Sequence, residues 1–283
     1  MMDIASIVTA ALVVGLVGIV IAIFLVVASE KFKVEVNQTQ VEVRELLPGA
    51  NCGGCGFAGC DACAEAIANG KAPVNACPVG GPAVAKQIAI VMGLNPDDSD
   101  VKQMVAFVKC SGTCEKAVKK YKYFGMQDCN ALSVVPGAGD KGCEFGCMGY
   151  GACVKACKFD AIHVIDGVAV VDENKCTGCQ SCIKTCPQHI IALIPKGAPF
   201  RVQCSSHKRG KDVMSVCQAG CIGCTLCTKQ CAFDAIHMDN NVAVIDYDKC
   251  KGCGKCAEKC PKKVIRTAAS LQETIREAEK LTA

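Results

Sequence analysis

The sequence predicts an α+β chain of modular build: a single N-terminal transmembrane helix, a small cysteine-rich domain, two tandem βαββαβ-like units and a short C-terminal helix. Three observations predict it. An uncharged apolar run of 25 residues occupies Ile4 to Ala28. Cysteine supplies 26 of 283 residues, while Trp is absent and aromatic residues make up 5%, too few large apolar side chains for extensive cores. Between residues 147 and 260 the chain repeats itself at an offset of 74, so that Cys147, Cys153, Cys157, Cys176, Cys179, Cys182 and Cys186 have partners in Cys221, Cys227, Cys231, Cys250, Cys253, Cys256 and Cys260. The copies also share Phe-Asp-Ala-Ile-His (159–163 and 233–237) and Val-Ala-Val (168–170 and 242–244). A duplication that keeps cysteine spacing this strictly points to sulfurs holding rigid inorganic objects.

As a helix the N-terminal run is about 37 Å long, against ~30 Å of hydrocarbon, which predicts an anchor over 1–29. A cleaved signal peptide is the alternative, but Met-Met-Asp carries no Lys or Arg and the run exceeds a usual signal core. Lys31 and Lys33 flank its end and favour a cytoplasmic location for the downstream residues; Gly15, Gly18 and Ala22 offer room for a neighbouring helix. A four-cysteine domain is expected over 36–95, ending in a helix-like Gly81–Gly93 and the acidic break 95–100. A cysteine-containing linking domain comes next over 100–142, with a strand across Val101–Val108 and a glycine-rich stretch at 136–142. The repeat units are expected over 143–196 and 197–267. In the tail, 268–283, Ser270-x-x-Glu273 reads as a capping box ahead of Leu271, Ile275, Ala278 and Leu281 at helical spacing.

The second unit is the cleaner copy. Cys221-x2-Cys224-x2-Cys227-x3-Cys231 and Cys250-x2-Cys253-x2-Cys256-x3-Cys260-Pro261 each match the two-cluster run in which the fourth cysteine of one half ligates the other half's cluster. One [4Fe-4S] cluster takes Cys221, Cys224, Cys227 and Cys260, and another Cys231, Cys250, Cys253 and Cys256. Zinc would ask for two well-separated Cys-x2-Cys knuckles. This unit resembles the bacterial-type ferredoxin domain. In the first unit Cys157, Cys176, Cys179 and Cys182 form a complete set, but Tyr150 stands where the second unit has Cys224. Cys143 can complete the set of Cys147, Cys153 and Cys186; a [3Fe-4S] cluster or a non-cysteine ligand are the alternatives. The second unit has Cys217 at the position of Cys143 while keeping Cys224, so the upstream cysteine can equally serve another site.

Upstream, Cys52, Cys55, Cys60 and Cys77 form one set, with glycines between them that let amides approach sulfur; Cys63 reads as a small buried side chain. Gly54-x-Gly56-x-x-Gly59 matches the dinucleotide fingerprint formally, but no strand precedes it and a cysteine lies inside it. Cys110, Cys114 and Cys129 are open to two readings, a sixth cluster completed by Cys143 or Cys204, or unligated thiols. His163, His189, His207 and His237 are scattered, and the first and last are repeat equivalents. No acid/base dyad, nucleophile constellation, nucleotide, flavin or nucleic-acid motif is present.

The formal charge of +4 misleads, because five [4Fe-4S]2+ sites at about −2 each would move it to roughly −6. Lys155, Lys158, Lys175, Lys184, Lys249, Lys251, Lys255 and Lys259 are then counter-charges, or a docking surface for an acidic partner. Thiolates awaiting metal need a reducing compartment, here the cytoplasm.

One N-terminal span, the Cys-x2-Cys-x4-Cys-x16-Cys-Pro group and two ferredoxin units, in that order over nearly the whole chain, resemble the B subunit of the Rnf complex in its long form. The resemblance implies a membrane complex in which reduced soluble ferredoxin passes electrons to NAD+ while Na+ or H+ is pumped. The B subunit would be the point where electrons enter, relayed through at least five clusters alongside other membrane subunits, at the cell membrane with its clusters on the cytoplasmic side. A membrane-anchored polyferredoxin of a hydrogenase or another respiratory complex, and a metal-storage or assembly scaffold, are the competing readings.

Overall fold

The computed structural model describes residues 4–31, 37–95, 102–137 and 139–282. Lys33 and most of the acidic break after Asn95 lie outside them.

Helix α1 (Ile4–Lys31) forms over the apolar run, but the expected transmembrane span is not found. Among the described residues no helix is long and apolar enough to cross a membrane.

Three helices build the first cysteine domain: α2 (Gln38–Leu46), α3 (Cys60–Ala68) and α4 (Gly81–Val91). Asn37 caps α2 by accepting the Thr39 amide at 3.0 Å, and Pro82 fits the first turn of α4, where no amide partner is needed. Val43, Ala64, Ile67 and Ile88 interlock as the core, with Cys63 among them. Arg44 Nε reaches Asp61 Oδ1 at 2.6 Å and pins α2 to α3.

The two repeat units share one plan. In the first, β1 (Met104–Val108) precedes α5 (Cys129–Ser133), α6 (Ala152–Lys155), the strands β2 (Ile162–Ile165) and β3 (Val168–Val171), α7 (Ser181–Thr185) and β4 (Ile191–Pro195). In the second, β5 (Phe200–Val202) is followed by α8 (Gly210–Val216), α9 (Leu226–Lys229), β6 (Ile236–Asp239), β7 (Val242–Ile245), α10 (Lys255–Glu258) and β8 (Ile265–Thr267). Outer strands pair antiparallel, β1 with β4 and β5 with β8, with Val108 opposite Ile191 and Val202 opposite Ile265. The hairpins β2–β3 and β6–β7 close on Asp166-Gly167 and Asn240-Asn241, all at positive φ, the conformation a tight two-residue hairpin requires. The first unit therefore begins at Met104, inside the segment expected to be a separate linking domain. Its strand exit and upstream cysteine (Cys110, Cys143) stand 33 residues apart, against 13 for Cys204 and Cys217, and the longer connection carries α5.

The units meet along β1 and β5. Arg201 and Glu173, both buried, form an ion pair across the seam, and the Arg201 guanidinium lies 5.6 Å from the centroid of the Phe107 ring. Helix α11 (Ala268–Thr282) closes the chain, with Leu271 and Ile275 buried. Its start differs from the capping-box expectation. Ser270 lies within the first turn, its amide bonded to Thr267 Oγ1 at 3.3 Å, so the cap comes from β8's last residue.

Candidate metal centres

Each set of thiols is placed by short helices and the turns before them. At three positions opening a helix, Gln180, Thr225 and Gly254, the backbone is left-handed, and each lies in the turn that presents Cys179, Cys224 or Cys253 beside its neighbours. A cavity is lined by Cys221, Cys224, Cys227 and Cys260. Burial, then proximity to Cys221 and Cys260, pushes the Cys227 thiol up to about 11. Burial pushes Cys182 up to about 12, with Cys176, Cys179 and Cys157 adding to it. Burial likewise raises Cys256, opposed by the Ala257 amide and aided by Cys250 and Cys253; Cys231, the repeat equivalent of Cys157, accepts the Ala235 amide at 3.3 Å as Cys157 accepts that of Ala161 at 3.4 Å.

In the first unit the position of Cys224 is taken by Tyr150, and a cysteine from outside the repeat lies beside the other three. Tyr150 packs edge-on against Tyr123, ring centroids 5.7 Å apart, and burial together with Asp140 pushes its phenol up to about 12. The cavity beside it is lined by Cys129, Cys147, Cys153 and Cys186. Cys153, pushed up to about 12 by burial first, feels Cys147, Cys129 and Cys186. Cys143, expected here, is elsewhere: its thiol neighbours are Cys110 and Cys217. Cys129 opens α5, whose cap Asp128 accepts the Asn130 amide at 2.8 Å and pairs with Lys155 of α6 at 3.0 Å, which fastens Cys129 to the helix that carries Cys153. Cys114, grouped with Cys110 and Cys129 in the sequence reading, is exposed.

In the N-terminal domain Cys77 is raised by burial, partly offset by the Gly80 and Val79 amides, with Cys55 and Cys60 beside it. Asn51 Oδ1 accepts the Cys60 amide at 2.8 Å and sets the start of α3. The Gly54 amide points at Cys52 Sγ from 3.5 Å. Cys63, buried, donates its thiol to Cys55.

Do these residues fit iron–sulfur clusters? The two cavities each offer four thiols, and amides are aimed at sulfur at several cysteines, among them Ala106 to Cys176 at 3.3 Å and Ala169 to Cys147 at 3.4 Å; bonds of this kind stabilise cluster thiolates. The cavities at Cys221–Cys260 and at Cys129–Cys186 each have a volume of about 20 Å³. Among the described residues no group of three or more His, Cys, Asp or Glu is drawn together tightly enough for a single metal ion. A zinc site, with Zn–S bonds near 2.3 Å, would bring its sulfurs to about 4 Å of one another. The thiols stand around a void, and a cube fits that arrangement.

The comparisons with known proteins agree with this chemistry. Residues 220–265 match the family described as 4Fe-4S dicluster domain, residues 169–192 the 4Fe-4S binding domain, and residues 47–79 the family described as "Putative Fe-S cluster". Over 254 residues, 89% of this chain and 75% of the relative, the sequence is 44% identical to the B subunit of the Na+-translocating ferredoxin:NAD+ oxidoreductase complex of Acetobacterium woodii. It is 43% identical to the B subunit of the ion-translocating oxidoreductase complex of Methanosarcina acetivorans, covering 88% of this chain and 93% of that one. The chain belongs to the family of B subunits of ion-translocating oxidoreductase (Rnf) complexes. A third member, the B subunit of the proton-translocating ferredoxin:NAD+ oxidoreductase complex of Clostridium ljungdahlii, is 38% identical over 91% of each chain. As the B subunit of an Rnf complex, the chain is part of an oxidoreductase and contains [4Fe-4S] ferredoxin domains.

Proposed function

We propose that this chain is the iron–sulfur relay of an ion-translocating ferredoxin:NAD+ oxidoreductase, taking electrons from reduced soluble ferredoxin and passing them to other subunits of the complex. The observation that carries the reading is the grouping of thiols in fours around two separate voids, in a chain of this family. A [4Fe-4S] cluster bound in each set supplies reversible one-electron chemistry. The chain's own side chains hold, space and shield. Five sets are proposed, supported by the sequence and by the proximity of their thiols: Cys52, Cys55, Cys60 and Cys77; Cys129, Cys147, Cys153 and Cys186; Cys157, Cys176, Cys179 and Cys182; Cys221, Cys224, Cys227 and Cys260; and Cys231, Cys250, Cys253 and Cys256.

Docking of the donor is assigned to the second unit. Cys253 is exposed there, ringed by the exposed Lys249, Lys251, Lys255 and Lys259, and such a field attracts an acidic partner and speeds encounter. The N-terminal set is the way out. Gly54 lies so close to the other sites that a Cβ added there would stand 2.6 Å from the Cys179 carbonyl oxygen, which puts the first set against the Cys157–Cys182 set. Ion translocation requires a membrane, so the complex works at one, and the cysteine-rich units belong on its reducing, cytoplasmic side.

The test is Cys260→Ser in the assembled complex. Reduction by ferredoxin should be lost while the spectroscopic signal of the Cys52–Cys77 set survives chemical reduction. Unchanged turnover would overturn the assigned direction.

A further inference from the structure

Cys110, Cys143, Cys204 and Cys217 line a further cavity, one that belongs to neither unit alone. Its volume of about 20 Å³ equals that of the cavity at Cys221, Cys224, Cys227 and Cys260. Cys110, Cys204 and Cys217 are buried and Cys143 is half-buried.

The site is built twice over. Cys143-x-x-Gly146-Cys147 and Cys217-x-x-Gly220-Cys221 are repeat equivalents, and Val108-x-Cys110-Ser111 recurs as Val202-x-Cys204-Ser205 at the exits of β1 and β5. Their hydrogen bonds repeat as well. Gly112 donates its amide to Cys110 Sγ at 3.4 Å and Ser206 to Cys204 Sγ at 3.5 Å. Cys147 donates to Cys110 at 3.3 Å and Cys221 to Cys204 at 3.2 Å. Ser111 Oγ reaches across to the Ala219 carbonyl at 3.5 Å, as Ser205 Oγ does to that of Phe145 at 2.6 Å. Phe145 and Ala219 in turn aim their amides at Cys143 and Cys217. Four thiols thus face one void across a local two-fold, each with an amide from the residue two places on.

A buried cation stands beside them. Lys141, almost wholly buried, is held by the carbonyls of Gly112 at 2.9 Å and Gly167 at 2.6 Å. A buried ammonium is costly unless negative charge lies near it, and four thiolates on a cluster supply that charge.

We infer that Cys110, Cys143, Cys204 and Cys217 hold a sixth [4Fe-4S] cluster, two ligands from each ferredoxin unit, that joins the units electrically at their seam. It rests on the iron–sulfur reading above. The amides of Cys147 and Cys221, ligands on either side, end on its sulfurs, so it lies between the Cys129–Cys186 set and the Cys221–Cys260 set. With it, the two cysteines outside all sets are Cys63 and Cys114.

The test uses the full chain, prepared anaerobically with its metal. Iron and acid-labile sulfide per chain, and the intact mass under native conditions, are compared for wild type, Cys110→Ala/Cys204→Ala and Cys114→Ser. The inference expects six clusters' mass in the wild type, about four iron and four sulfide fewer in the double variant, and no change in Cys114→Ser. Should the double variant fold poorly, the wild-type mass decides by itself. Five clusters in the wild type, or a zinc ion that leaves with these two cysteines, overturns the sixth site alone. Absence of iron throughout would instead bring down the relay reading.

Discussion

At Cys63 the surroundings decide the chemistry of a buried thiol that lies beside Cys55, Cys60 and Cys77. Burial first, then Cys55 and Cys77, push it up to about 12 from an ordinary 9.0. The folded protein therefore holds this proton more tightly than the unfolded chain. The stability linked to it is complete below pH 9 and drains away as the pH climbs through about 12, at no more than about 1.4 kcal/mol per pH unit. Cys63→Ala should flatten that alkaline arm in unfolding titrations and leave iron content unchanged. Loss of a cluster's iron in the variant would make Cys63 a ligand. Tyr150 poses the reverse case, a ligand position without a thiol. If Cys129 stands in for it, Cys129→Ser should cost about four iron per chain, and adding Tyr150→Cys should restore them, because the repeat places that residue where Cys224 works in the second unit. Iron analysis of the single and double variants checks both steps.

At the scale of elements, the contact between the N-terminal domain and the turn before α7 depends on one missing side chain. A Cβ at Gly54 would meet backbone, with the Cys179 carbonyl oxygen at 2.6 Å and its Cα at 3.1 Å, and backbone cannot step aside as a flexible side chain does. Gly54→Ala should part the domains while both keep their own cores. The expected outcome is full iron content with several-fold slower reduction of the Cys52–Cys77 set, followed by freeze-quench spectroscopy after reduction of the second unit; an unchanged rate would show that electrons do not cross here. This scale also shows what the sequence made legible. The strand before Cys110 was legible from its apolar residues, and the gathering of Cys221, Cys224, Cys227 and Cys260 around one cavity from the two-cluster cysteine run. The origin of the first unit's strand, and the presence of Cys129 instead of Cys143 at the cavity of Cys147, Cys153 and Cys186, were not. An offset carries information only where the copies keep the same length. The first unit holds 20 more residues than the second between strand exit and upstream cysteine, and α5 brings Cys129 back from inside that excess. The repeated Val-x-Cys-Ser at 108–111 and 202–205 was the signal that would have restored the register.

Across the whole molecule, two units that descend from one are fastened at a seam where the copies have diverged. Phe107 and Arg201 occupy equivalent places on β1 and β5, as Glu173 and Tyr247 do after β3 and β7. Divergence has turned a pair of like contacts into one ion pair, Arg201 with Glu173, and one half-buried aromatic, Tyr247, packed against the cores of both units. Burial pushes the Tyr247 phenol up to about 12 in spite of Arg201, which lowers it. The ion pair is 2% and 9% exposed at its two side chains, so removing one partner strands a charge in a medium that solvates it poorly. Arg201→Met should cost about 3–5 kcal/mol, whereas Arg201→Met together with Glu173→Leu should return most of that loss, since well-packed apolar side chains often replace a buried pair without penalty. Anaerobic denaturant unfolding of the metal-loaded protein, followed by the iron–sulfur absorbance, reads both. The same seam carries Cys110 and Cys204, so the single variant should also release iron from the Cys110–Cys217 site before any other. Equal damage from single and double variants would mean that the pair does not hold the units together, and uniform bleaching of all sets would separate the seam's stability from its cluster.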